Sequence, residues 1–162
     1  MATCVAMDCE MVGGPNNEAL AARVSIVHEN GRDVLLDKYI KPSKPVSDYR
    51  SAISGITPNL LYTADSLQEV SSQVARIING RILVGHSLDV DLKALNLNHP
   101  EHMRRDLALY VPFRKMNGGH PASLKFLARN LLGRTIQDGQ HSSVEDAKAS
   151  MDIYRKVAHE WQ

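Results

Sequence analysis

The sequence predicts an α/β domain with a mixed sheet, three antiparallel strands first and then helices alternating with strands. Two observations carry this. Residues 3–12, 22–28 ("ARVSIVH") and 33–40 ("DVLLDKYI") are short apolar runs, the last two joined by Glu29-Asn30-Gly31-Arg32, whose Asn-Gly is a strong hairpin signal. After residue 57 helical spacing takes over, interrupted by short runs at 81–85 and 104–109 that read as further strands. Such an order buries the sheet between helical layers.

The helices carry their own punctuation. Thr57-Pro58 offers a cap with proline at the first helical position. Ser66-Leu67-Gln68-Glu69 is a capping box followed by Val70, Val74, Ile77 and Ile78 at helical spacing and a stop at Gly80. "RILVG" (81–85) is a buried strand that turns into the helix of "HSLDVDLKAL", with Ser87 as its cap. "RRDLAL" (104–109) is a weaker strand, and "PASLKFLARNLLG" (121–133) is a helix ended by Gly133. A last helix over about 143–160 places Val144, Ala147, Met151, Tyr154 and Ala158 on one stripe.

With 162 residues the chain fits one domain, 1–162, around a single core. Its net charge of +1 provides no global field for a polyanion, so a nucleic-acid partner must be held by a local patch or by bound cations. No apolar run approaches the roughly 18 residues of a membrane span, and no signal sequence opens the chain, so no membrane partner is expected. Cys4 and Cys9 are an odd number of residues apart on one strand and point to opposite faces, where they cannot bridge. That favours a reducing compartment, nucleus or cytoplasm.

The first strand poses a problem. In "VAMDCEMV" (5–12), Asp8 and Glu10 share one face, while Met7, Cys9 and Met11 take the other. Two acids roughly 7 Å apart raise each other's pKa unless a cation sits between them. The ordinary reading of a bare Asp-x-Glu is the solvated face of an edge strand, so further acids must join it. A second acid site lies in "LVGHSLDVDLKAL", at a strand-to-helix turn where α/β sheets bind ligands. Asp91 lies nearer the inward stripe of Leu88, Leu92 and Leu95 than Asp89, which suits a solvated first-turn acid. His86 reads as a turn or capping histidine. A third site is "GQHSSVEDAKASMDIY", where Ser142 and Glu145 form a capping box. That explains Glu145 and leaves Asp146 and the preceding His141 without a structural duty.

Asp-x-Glu in a first strand, Gly-His-x-Leu-x-x-Asp at a strand-to-helix turn, and His-x-x-x-x-Asp at the last helix resemble the DEDDh exonuclease superfamily. "AMDCEMVG", "DKYIKP", "DYRSAISGIT", "LVGHSLDVDLKAL", "SLKFLARNLLG" and "HSSVEDAKASMDIY" together resemble its Rex-type RNA exonuclease and interferon-induced exonuclease subgroup, in order and over nearly the whole chain. The resemblance implies a ribonuclease-H-like fold and 3′–5′ hydrolysis of single-stranded RNA, preferred over DNA, to 5′-nucleoside monophosphates. It implies Asp8, Glu10, Asp91 and Asp146 as ligands of two divalent cations, Mg²⁺ or Mn²⁺, and His141 as general base. Met11 and Arg50 match positions lining the terminal nucleotide, and a nuclear or nucleolar location is common in the family. Relatives usually carry Asp-Thr where this chain has Asp106-Leu107; that pair and the variable loop around Asn117-Gly118-Gly119-His120 are expected where substrate runs.

The chemistry suits these residue types. Two divalent ions roughly 4 Å apart activate a water, neutralise a phosphate oxygen and stabilise the leaving oxyanion. Mg²⁺ and Mn²⁺ prefer carboxylate oxygens, and a neutral histidine accepts a proton near neutral pH. With two phenylalanines and one tryptophan there is no aromatic ladder for a long strand, which favours engagement of an end. The rivals are an exonuclease for single-stranded DNA, which these motifs do not distinguish, and a catalytically silent nucleic-acid-binding domain, which should have lost at least one acid. A zinc module on His99-x-x-His102 lacks a second ligand pair, and those histidines are expected to be solvated. Without Gly-x-x-x-x-Gly-Lys there is no P-loop, and no organic cofactor is expected.

Overall fold

The computed structural model describes residues 3–161. Strands β1 (Cys4–Gly13), β2 (Ala19–His28) and β3 (Val34–Lys41) form the antiparallel opening. Then come two single-turn helices, α1 (Ser51–Ser54) and α2 (Pro58–Leu61), a two-residue strand β4 (Asp65–Ser66) and helix α3 (Leu67–Ile78). The alternating half has β5 (Ile82–Gly85), α4 (Leu88–Ala94), β6 (Arg104–Asp106), α5 (Val111–Lys115), α6 (Leu124–Leu127) and α7 (Ser143–Val157). The sheet runs β4-β3-β2-β1-β5-β6, with β5 parallel to β1 and β6 parallel to β5. This is the predicted mixed sheet. Among the described residues no helix is long and apolar enough to cross a membrane.

Alternation along β1 sorts its side chains into two cores. Val5, Met7 and Cys9 face α3 and α4, packing with Val70, Val74, Leu88 and Leu92. Cys4 and Ala6 face the opposite layer, with Leu127, Ala147 and Met151. The two cysteines therefore lie in different cores, as their spacing requires. A third cluster, Val12, Leu20, Ala22, Ile56 and Leu61, closes the end of the β1–β2 pair beneath α1 and α2.

Several local expectations change. Thr57 caps α2 without a side-chain hydrogen bond, and the helix stops after one turn. The helix expected over 121–133 begins only after Ser123, whose hydroxyl accepts from the Phe126 N–H (3.1 Å). Its second half is a π-helical turn, Ala128–Leu132, ended by Gly133 at φ 63°. β6 keeps only the first half of the 104–109 run, because Leu107 and Ala108 leave the strand to fill the core. His99, expected in solvent, is buried and shares a 2.8 Å hydrogen bond between Nε2 and the Arg81 carbonyl, while His102 is exposed.

One register feature positions everything that follows. Along β1, β5 pairs only with Cys4, Val5 and Ala6, so the second half of β1 runs on past the end of its parallel neighbour. There the chain leaves β5 and enters α4, beside the strand where the antiparallel and parallel halves of the sheet meet, the kind of place where α/β sheets bind ligands. Gly85 ends β5 in tight contact: a Cβ there would collide with the Leu88 side chain and stand 3.0 Å from the Met7 carbonyl oxygen. Gly85→Ala should therefore cost about 1–3 kcal/mol, the usual range for overpacking, read as a lowered urea midpoint with an unchanged slope.

Candidate active site

Asp8 and Glu10 occupy the overhanging half of β1. β1 is a central strand and Glu10 is only 5% exposed, so the solvated-edge reading does not apply. Their cross-strand partners on β2 are Ser25 and Arg23. Arg23 is the basic residue facing Glu10, but its guanidinium is engaged by both oxygens of Asp37 (2.9 and 3.0 Å) and lies over the Tyr39 ring. It does not neutralise the acid pair. Ser25 donates to Asp37 Oδ1 (3.0 Å), so the Ser143 hydroxyl, 2.7 Å from Ser25 Oγ, donates in turn. This chain, buried at Ser143 and Ser25, ties the first turn of α7 to the strand beside Asp8.

Asp91 and Asp146 arrive from two helix starts. On α4, Asp91 is buried at 5% exposure, whereas Asp89 points outward and pairs with Arg104 (2.8 Å). The helical-face argument thus separates the two correctly. Ser87 is not the cap expected of it: its φ is 59° and its side chain makes no capping bond. Asp106 takes that duty, its carboxylate accepting from the N–H groups of Ser87 (2.8 Å), Leu88 (2.9 Å) and Ala108 (3.0 Å). Asp106 thus holds α4 in place, and Leu107 is fully buried. His86 is an anchor as expected, Nε2 lying 2.8 Å from the Ala122 carbonyl. On α7, Ser142 accepts from the Glu145 N–H (3.4 Å), Glu145 is exposed, and Asp146 is buried at 2% exposure.

His141 stands on the loop before α7, half-buried, its N–H donating to the Ile53 carbonyl (2.6 Å). One ligand atom each from Glu10, His141 and Asp146 lie within 4.8 Å of one another. Three carboxylate oxygens, Glu10 Oε2, Asp91 Oδ2 and Asp146 Oδ1, are buried without any hydrogen-bond partner. Burying an anionic oxygen without a donor is strongly unfavourable, so this donor set fits divalent cations held by hard oxygen ligands. Met11 is half-buried against the α3–α4 core. Arg50 is exposed at φ 51°, with Nη2 3.5 Å from the position a Gly13 Cβ would take.

The charges behave accordingly. Burial pushes the Glu10 carboxyl up to about 8, with Asp146 adding to the shift and Arg23 opposing it. Asp8 is raised well above the usual range by burial and then by Asp91, Asp146 and Glu10. Asp91 is raised by burial and by Asp106 and Glu10; Asp146 is raised by burial, with the Gln137 amide opposing it.

The family model described as Exonuclease matches residues 5–154, and the chain belongs to that exonuclease family, the DEDDh type. Among curated proteins it is similar to RNA exonuclease 4 of Aspergillus fumigatus (52% identical over 94% of this chain) and of Homo sapiens (48% over 98%). It spans 50% and 38% of those two proteins. Among solved structures it matches the Neurospora crassa Pan2 catalytic unit (TM-score 0.84, 29% identity, 97% of this chain and 27% of that one). It also matches a Saccharomyces cerevisiae Pan2 module in complex with A7 RNA (TM-score 0.83, 31% identity, 98% and 29%). The fold is ribonuclease-H-like, and exonuclease domains of this type use divalent metal ions.

The sign of the pH response follows from the raised carboxylates. The folded state holds protons that the unfolded state has released, so stability is full below the ordinary carboxyl pKa of 4.5 and is lost as pH rises through about 8. The lowered acids, Glu18 and Asp37, act below that window. In EDTA, Tm should fall by roughly 10 °C between pH 5 and pH 8, taking about 3–5 kcal/mol from Glu10. Mn²⁺ at pH 8 should reverse the fall. A flat EDTA profile would show that the carboxylates are not crowded together.

Proposed function

We propose that this chain is a 3′–5′ exoribonuclease that hydrolyses single-stranded RNA from its 3′ end to 5′-nucleoside monophosphates. The observation that carries the reading is the set of three partnerless buried carboxylate oxygens on Glu10, Asp91 and Asp146, two of these residues being grouped with His141. Asp8, Glu10, Asp91 and Asp146 would hold two divalent cations, Mg²⁺ or Mn²⁺. Those cations would supply charge neutralisation at the scissile phosphate and a water acidic enough to attack it. His141 would take the proton from the attacking water, a role that needs a side chain able to swing, and its loop position supplies that freedom. Arg50, exposed beside the end of β1, and Met11 would face the terminal nucleotide. The names of the relatives support RNA as the substrate, and a nuclear or nucleolar location goes with that reading.

A second reading of His141 has an observation of its own, since its ring lies within ligand distance of the same group as Glu10 and Asp146. If it is the base, His141→Ala should lower turnover by about 10²–10⁴-fold and leave Mn²⁺ affinity unchanged by calorimetry. Equal loss of metal in His141→Ala and Asp146→Ala would make it a ligand instead.

The activity itself is tested on 3′- and 5′-end-labelled RNA and DNA of matched sequence, with and without EDTA. Mononucleotides should appear from the 3′ end of RNA only when Mg²⁺ or Mn²⁺ is present. Cleavage of a circular RNA, or full activity in EDTA, would refute the proposal. Asp91→Ala should abolish turnover while Asp89→Ala retains most of it, because only the former removes a buried oxygen from the cluster. A swap of those two outcomes would place the site elsewhere.

A further inference from the structure

Four residues separate the buried core from the proposed base. Ile136 is packed into the core beneath α7, Asp138, Gly139 and Gln140 are exposed, and His141 returns to the site. Between the buried anchor and the exposed turn stands Gln137, half-buried, with φ at 58°. That is the left-handed region, which side chains other than glycine, asparagine and aspartate seldom adopt. Nothing about a surface turn requires a glutamine there, and glycine would reach the same conformation without strain.

The side chain supplies the reason. Gln137 Nε2 donates to Asp146 Oδ2 (2.9 Å), while Asp146 Oδ1 stays buried without a partner. Asp146 sits on the first turn of α7 and has free rotation about its terminal bond unless something fixes the carboxylate plane. An amide donor fixes that plane without adding charge. A lysine or arginine at the same place would offset the carboxylate and repel a cation, whereas glutamine adds no charge and leaves one oxygen free to accept. Hydrogen-bonded partners of ligand carboxylates act in this way in metal sites generally.

We propose that Gln137 is a positioning residue: its side-chain amide holds one oxygen of Asp146 so that the other is presented to a divalent cation. This rests on the reading of Asp146 as a ligand. The same short loop also carries His141, whose N–H is tied to the Ile53 carbonyl, so one segment aligns an acid at its start and the histidine at its end.

Two substitutions test this in the whole chain. Gln137→Gly removes the donor and the backbone strain together, and Gln137→Asn tolerates the left-handed backbone but has a side chain one methylene too short to reach Asp146. Both should keep or raise Tm. Both should weaken Mn²⁺ binding measured by calorimetry about 10–100-fold, the usual effect of losing such a partner. In RNA hydrolysis the Mn²⁺ requirement should rise by the same factor, while kcat at saturating Mn²⁺ stays within a few-fold of the parent. A loop-closing role alone would move Tm and leave Mn²⁺ affinity untouched, and wild-type affinity in both variants would overturn the proposal. The two failures are separable: if the unsubstituted protein binds no Mn²⁺, the cation reading falls and this inference with it. If it binds and the variants bind equally well, only the role of Gln137 falls.

Discussion

The arrangement depends on one unfavourable interaction, the burial of several carboxylates close enough to raise one another's pKa. Asp8, Glu10, Asp91 and Asp146 come from a strand and two helices, and every one is shifted upward by desolvation first. A folded domain gains nothing by gathering such groups, since each uncompensated charge in a low-dielectric setting opposes folding. Arg23, which opposes the shift on Glu10, has its guanidinium engaged by Asp37. The repulsion is therefore maintained by the surrounding structure, as expected where charge is reserved for a ligand.

What maintains it is a set of polar contacts that fix the starts of the two helices. The Ser143–Ser25–Asp37–Arg23 chain holds the start of α7 to β2, one strand from Asp8 and Glu10. Asp106 holds the start of α4 through the N–H groups of Ser87 and Leu88 and so sets where Asp91 emerges. Asp106, serving as a helix cap, is an acid in the same neighbourhood whose carboxylate is engaged by backbone N–H groups, whereas Glu10, Asp91 and Asp146 each retain a buried oxygen that no protein donor satisfies.

The acids and the histidine are supported differently. The carboxylates ride on elements buried in two cores, which fixes their placement. His141 rides on a loop joined to α1 by one backbone hydrogen bond. The proposed ligands gain from rigidity because coordination distances are short and narrow, while the proposed base must approach and withdraw.

Much of this was legible in the order of residues, because the signals are local. Alternation assigned Asp8 and Glu10 to one face and the two cysteines to opposite cores, helical spacing chose Asp91 over Asp89, and a capping box accounted for Glu145. Each of those judgements needs only a period of two or 3.6 and a few neighbours. The tertiary structure alone decided the rest. That β1 is central, and that it overhangs β5, follows from strand pairing between distant segments. That Asp106 rather than Ser87 caps α4, that His99 is buried, and that Leu107 belongs to the core all depend on what packs alongside. The tie from Gln137 to Asp146 spans nine residues through a left-handed backbone, a conformation that no residue pattern in that loop announces, and it exists only because Ile136 is anchored in the core beneath α7.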